Sequence, residues 1–262
     1  MMNNMIGILK RGFIRILIRL FGDRGQVWLE TQSVLYKIKH GKAYEKEIDL
    51  LAQLLTAGDT CMDVGANFGQ WTFYMSKIVG PSGKVFAIEP MPITYEVLKK
   101  VIYKLKMKNV SAYQIALGDK DDWGTMHVDE NKDGVKSLAT AYLSGNERSS
   151  MSGSKIKIKT LDSFIGSMKI NKIKLIKCDI EGAELLFLRG GVNVLMRDKP
   201  ALICEIQDIH TWKYGYHPND VFDFIRTLGY QPYRYVLGRL TPINEPDPEG
   251  INYIFIYNEQ KQ

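Results

Sequence analysis

One stretch, 59–78, constrains this chain more than any other. The apolar run Thr60-Cys61-Met62-Asp63-Val64 enters Gly65-Ala66-Asn67-Phe68-Gly69 and then a helix-patterned segment. A buried strand, a tight glycine turn and a helix satisfy that order. Gly65 lets the chain turn sharply off the strand, Gly69 lets backbone approach a ligand closely, and the helix start offers free N–H groups. Dinucleotide-binding folds use a related turn, so the acid before the glycines is the discriminator. A pyrophosphate wants no carboxylate there, whereas the ammonium of a methionine does, directly or through water. Asp63 therefore points toward S-adenosylmethionine.

The rest of the pattern repeats the alternation of apolar strands and helices that marks a parallel sheet with helical crossovers. Helices are expected over 45–55, 94–105, 183–189 and 221–228, and strands over 84–88, 110–114, 174–178 and 201–206. Segments 231–237 and 251–257 read as a closing antiparallel pair. The expected fold is α/β, a doubly wound, mostly parallel, Rossmann-like sheet of seven strands. Between the third and fourth strands, 118–170 is rich in Gly, Ser, Lys and Asp. Short strands at 125–128 and 155–159 flanking a mobile loop around 144–154 would make it a substrate lid.

A chain of 262 residues accommodates one such domain, over 43–262, with an extension at 1–42. The net charge of +6 is modest, and the lysines are dispersed, so nucleic acid is not an expected partner. Cys61, Cys178 and Cys204 each sit in an apolar run without zinc-like spacing, which reads as three reduced core residues of a cytoplasmic protein.

Residues 5–21 are apolar apart from Lys10, Arg11, Arg15 and Arg19. On a helix the three arginines line one narrow stripe, and Gly22 is placed to end it. Charges recurring every fourth residue argue against a membrane span, and no cleavable leader pattern follows. Such a helix packs on the domain or a partner subunit, or lies on an anionic membrane surface. Oligomeric state is open.

Chemistry-bearing residues gather at the expected strand ends. Glu89 ends the second strand, where a carboxylate accepts hydrogen bonds from both ribose hydroxyls, and Pro90 and Met91 offer a wall for adenine. Ala116, in Ile115-Ala116-Leu117-Gly118, suits the other adenine face. Asp179 and Glu181 follow the fourth strand, Glu205 ends the fifth, and His210 lies just beyond. Methyl transfer to a hydroxyl needs in-line approach to sulfur and a base for the proton, which a carboxylate or an imidazole supplies. Glu205 and His210 together would form that base or hold a divalent cation. Glu184 reads as a favourable acid at a helix start, and His40, His127 and His217 as surface residues.

The runs at 59–69, Ala87-Ile88-Glu89-Pro90-Met91-Pro92 and Ile176-Lys177-Cys178-Asp179-Ile180-Glu181-Gly182-Ala183-Glu184 together closely resemble the FkbM-type methyltransferases. Thr160-Leu161-Asp162-Ser163-Phe164 is similar to a further short motif of that family, and the resemblance spans roughly 44–236. Cys178 stands where the family pattern is more commonly apolar. The resemblance implies a class I O-methyltransferase acting on hydroxyls of sugars, glycans and related natural products, with S-adenosylhomocysteine as product. It implies that Asp63, Gly65, Asn67, Gly69 and Glu89 bind the cofactor while Asp179, Glu181 and Glu205 line the transfer site. A metal requirement is left open. The competing readings are a nicotinamide oxidoreductase and a non-catalytic cofactor-binding scaffold.

Overall fold

Apolar runs flanked by glycine turns become strands buried on both faces, and amphipathic segments become the helices that cover them. A computed structural model describes residues 2–42, 44–130, 136–144, 153–168, 170, 172–247 and 250–258. The strands are β1 (Thr60–Val64), β2 (Lys84–Ile88), β3 (Val110–Tyr113), β4 (Ala116–Leu117), β5 (Asp122–Glu130), β6 (Lys136–Ser144), β7 (Ser154–Lys159), β8 (Leu175–Cys178), β9 (Ala201–Glu205), β10 (Tyr230–Val236), β11 (Arg239–Pro242) and β12 (Asn252–Tyr257). The helices are α1 (Met2–Lys39), α2 (Ile48–Leu54), α3 (Gln70–Val79), α4 (Pro92–Lys104), α5 (Leu161–Gly166), α6 (Glu184–Arg189), α7 (Val192–Asp198), α8 (Asp208–Thr211) and α9 (Pro218–Thr227).

Among the described residues, eight strands form the main sheet in the order β11-β10-β12-β9-β8-β1-β2-β3. The run from β9 to β3 is parallel, whereas β12, β10 and β11 join antiparallel. This is the expected doubly wound sheet, extended by one edge strand. The addition, β11, folds back on β10 through Leu237 and Gly238, both at positive φ. A two-residue turn of that kind usually announces itself with Asn-Gly, and a leucine in the first position hid it.

Alternate residues of β1 enter two separate cores. Cys61 packs with Leu50, Leu51, Trp71 and Met75 on the α2–α3 side, while Met62 and Val64 pack with Leu161, Leu185 and Phe222 on the other. All three cysteines are free and buried.

Gly22 ends the first helical segment as expected: its backbone (φ 53, ψ −139) is not helical, and a second helical segment follows it to Lys39. That second segment holds Val27, Val34 and Ile38 at helical spacing, and they pack against Ile93, Val97 and Val101 of α4. The basic side chains Lys10, Arg11, Arg15 and Arg19 lie outside the described residues. No helix among the described residues is long and apolar enough to cross a membrane.

One expectation, that for 118–170, needs correction. This stretch supplies three strands of a four-stranded sheet, β4-β7-β5-β6, in which β6 was not anticipated. Along β7 the alternation is as expected, with Ile156 and Ile158 buried and Lys155 and Lys157 exposed. Met126 and Ile156 pack against Met91, which seats this sheet beside the carboxyl ends of the main one. The expected loop lies largely outside the described residues, at 145–152.

Candidate active site

The carboxyl ends of β1, β2 and β8 are tied closely together. The N–H groups of Gly65 and Ala66 donate to Ile88 O (3.0 and 2.9 Å), and Asp179 N–H donates to Val64 O (3.0 Å). The β1 turn needs glycine for two reasons. Gly65 has φ +78, and a Cβ there would lie 1.8 Å from the Asp179 carbonyl oxygen. Asn67 and Gly69 also take positive φ, turning the chain into α3, whose start has no side-chain cap.

A cleft of about 710 Å3, counting its open mouth, lies over these strand ends. Glu89, Pro90, Met91, Ala116, Met126, Asp179, Glu181 and Tyr214 are among its walls. A second, more polar recess is lined by Glu45, Asp63, Trp71 and Lys177, and it shares Gly65, Asn67 and Asp179 with the cleft. The two are therefore lobes of one depression.

Glu89 is buried, and its two carboxylate oxygens accept separately, Oε2 from Asn67 N–H and Oε1 from Met91 N–H, each at 2.9 Å. Those bonds fix the carboxylate at the cleft wall. Burial outweighs them and pushes its pKa up to about 7. Asp63 is also buried and accepts from the Thr72 hydroxyl; burial lifts it to about 6 against that hydrogen bond and the nearby Lys177 ammonium.

After β8 the chain turns through Glu181 (φ 55) and Gly182 (φ 101). Glu184 Oε1 accepts from Ile180 and Gly182 N–H, both at 3.2 Å, which accords with its reading as an acid at a helix start. The Tyr216 hydroxyl donates to Gly182 O and accepts from Leu185 N–H. A Cβ on Gly182 would meet the His210 carbonyl oxygen at 2.4 Å, so this glycine lets the 208–211 segment close over the turn. The consequence is a direct pair: His210 Nε2 lies 3.2 Å from Glu181 Oε2.

Burial, with repulsion from Asp179 and Glu205, pushes Glu181 up to about 7. Burial and Lys213 lower His210 below its usual value against the opposing pull of Asp179, so near pH 7 the ring is neutral. The expected partnership of His210 with Glu205 is not seen. Glu205 instead accepts from Gln207 Nε2 at 2.6 Å and faces a neighbouring hollow with Arg234 and Asn252. Among the described residues no group of three or more His, Cys, Asp or Glu side chains is arranged to hold a metal ion.

The sequence reading passed over Thr72, Trp71, Glu45, Tyr214, Met126 and Lys177. Only Lys177 carried a signal, a lysine inside an otherwise apolar strand that is paired in register with the strand of Asp63.

These features fit S-adenosylmethionine part by part. Pro90, Met91, Ala116 and Met126 offer apolar surface for a purine, the Glu89 carboxylate lines the same cleft, and the recess offers both signs of charge to an amino-acid arm. The chain matches the Methyltransferase FkbM domain over residues 63–232. It is 25% identical over 142 residues to "Methyltransferase 1" of Beauveria bassiana (49% of this chain, 57% of that protein). It is 24% identical over 217 residues to the hexuronic acid methyltransferase AglP of Haloferax volcanii (81% of each chain). The solved structure of a methyltransferase FkbM from Methylobacillus flagellatus KT is similar at 17% identity and a TM-score of 0.49, covering 78% of this chain and 45% of that one. The chain thus spans about half the length of two of these three proteins. With the domain match covering most of the sequence, the chain belongs to the FkbM family of S-adenosylmethionine-dependent methyltransferases.

Proposed function

We propose that this protein methylates a hydroxyl of a sugar, glycan or related natural product, with Glu181 as proton acceptor. The observation that carries the reading is the Glu181–His210 pair, in which Glu181 lines the cleft and the His210 backbone closes on Gly182. Similarity over most of its length to a hexuronic acid methyltransferase supports a carbohydrate acceptor.

The donor supplies an electrophilic methyl on a sulfonium. The protein's part is to orient the acceptor oxygen toward it and to remove a proton as the new C–O bond forms. Glu181, with a pKa near neutrality, is poised to take that proton at working pH, with His210 Nε2 lying 3.2 Å from its carboxylate. Asp179 borders both lobes, where it would orient the acceptor against the donor.

The pH dependence follows with its sign. Glu181 must be ionised to accept a proton, so kcat/KM falls as pH drops below about 7 and levels off above it. At saturating S-adenosylmethionine, where the ionisation of Glu89 no longer limits the rate, Glu181→Gln lowers kcat by about 10²- to 10⁴-fold and removes that limb, while S-adenosylhomocysteine affinity is little changed. Transfer from labelled S-adenosylmethionine to a panel of neutral and acidic glycans should give an alkali-stable methyl ether. An alkali-labile ester, or a Glu181→Gln variant of full activity, would overturn the assignment.

A further inference from the structure

Lys177 lines the recess, and the proposed proton transfer does not use it. It is 1% exposed in the middle of the sheet, yet its Nζ makes no hydrogen bond. Its charged contact is Asp179 Oδ2 at 3.5 Å, and its ammonium lies over the Trp71 ring, 5.3 Å from the centroid. A lysine has three N–H donors, and leaving them unfilled in a buried place costs free energy unless a ligand fills them. Burial acts to neutralise Lys177, but Asp179, Glu205 and Asp63 together more than offset this and keep it protonated.

The strand register says what such a ligand looks like. Asp63 and Lys177 are direct partners on β1 and β8, so their side chains leave the same face of the sheet side by side, on strands about 4.8 Å apart. Both line the same recess. A buried anion beside a buried cation, a few ångströms apart, complements an α-amino acid, which carries its ammonium and carboxylate at similar separation. Trp71 closes over the cation, and its own Nε1 is tied to Glu45 Oε2 at 3.3 Å, so the lysine is held in place rather than free to leave.

We propose that the Lys177 ammonium binds the carboxylate of the methionine arm of the donor, with Asp63 on the side of its ammonium. The inference rests on the donor reading above and adds the residue that distinguishes an amino-acid-bearing nucleoside from one without it. Lys177 thus acts in recognition, and the proton transfer is left to Glu181.

Calorimetry on the full chain tests it with S-adenosylhomocysteine, its decarboxylated analogue and 5′-methylthioadenosine. The wild type should bind S-adenosylhomocysteine about 10- to 100-fold more tightly than the decarboxylated analogue, the worth of a charge-assisted hydrogen bond. Lys177→Met should erase that preference, weakening S-adenosylhomocysteine by the same factor while methylthioadenosine binds as before. Retained methylthioadenosine binding also reports that the variant is folded. Equal affinity of the wild type for the two homologues overturns the inference even if the variant does not fold, and so does a Lys177→Met variant that keeps the preference. A wild type that binds none of the three nucleosides overturns the donor reading itself, a result distinct from either.

Discussion

Glu89→Ala should weaken S-adenosylhomocysteine binding by about 10²- to 10⁴-fold, because we propose that its carboxylate accepts two charge-assisted hydrogen bonds from the ribose hydroxyls. The carboxylate is aimed before any ligand arrives, because Asn67 and Met91 N–H hold its two oxygens. Alanine removes the ribose acceptor and also leaves those two backbone donors without their partner, so the loop at Asn67 and the start of α4 should loosen together. Glu89→Gln separates the effects, since its side-chain oxygen keeps one acceptor without the charge and should lose less affinity than alanine. Ionisation adds a pH dependence of definite sign. Burial holds Glu89 near 7, and only the ionised form accepts from both hydroxyls. Affinity therefore falls as pH drops below about 7, by at most about tenfold per pH unit. Unchanged calorimetric affinity in Glu89→Ala would remove Glu89 from the cofactor site.

Gly65→Ala should be among the most destabilising single substitutions in the chain. The new methyl would sit 1.8 Å from the Asp179 carbonyl oxygen, on a backbone at φ +78, and the obstructing atom is main chain that cannot rotate away. Left-handed strain and forced overpacking together cost about 3–6 kcal/mol, a large fraction of a typical domain's stability. In a chain of this size that corresponds to a fall of about 10–20 °C in Tm. Gly80→Ala is the informative comparison. Gly80 also has positive φ (+64, with ψ −172), but a Cβ there meets nothing within 4 Å, so it should cost only the backbone term of about 1–3 kcal/mol. Similar Tm values for the two variants would show that the β1–β8 approach at Gly65 is not as close as described.

Gly65 also shows what a sequence can and cannot reveal. That a strand must turn at Gly65 and lead into a helix was legible, because the apolar run, the glycines and the helical spacing all act within about twenty residues. Glu89 was legible for the same reason, one strand further on. The insert was less so. β5 and β7 carry alternating apolar residues, but β6, Lys136–Ser144, mixes small and polar residues and gave no clear period. The break at Gly22 was legible, whereas the helical segment beyond it was not, since its apolar residues Val27, Val34 and Ile38 gain their meaning only by packing on α4.

The sequence by itself determined the fold class, the family and the set of residues at the strand ends, because backbone propensity and hydrophobic period are local properties. Only the tertiary structure decided which of those residues meet. It paired His210 with Glu181 rather than Glu205, since Gly182 admits the 208–211 backbone and a Cβ there would not. It set Lys177 beside Asp63, since parallel register, not proximity along the chain, places side chains on one face. Spacing within an element is written in the chain, whereas contact between elements is fixed by close packing, where a single missing methyl group governs which side chains touch.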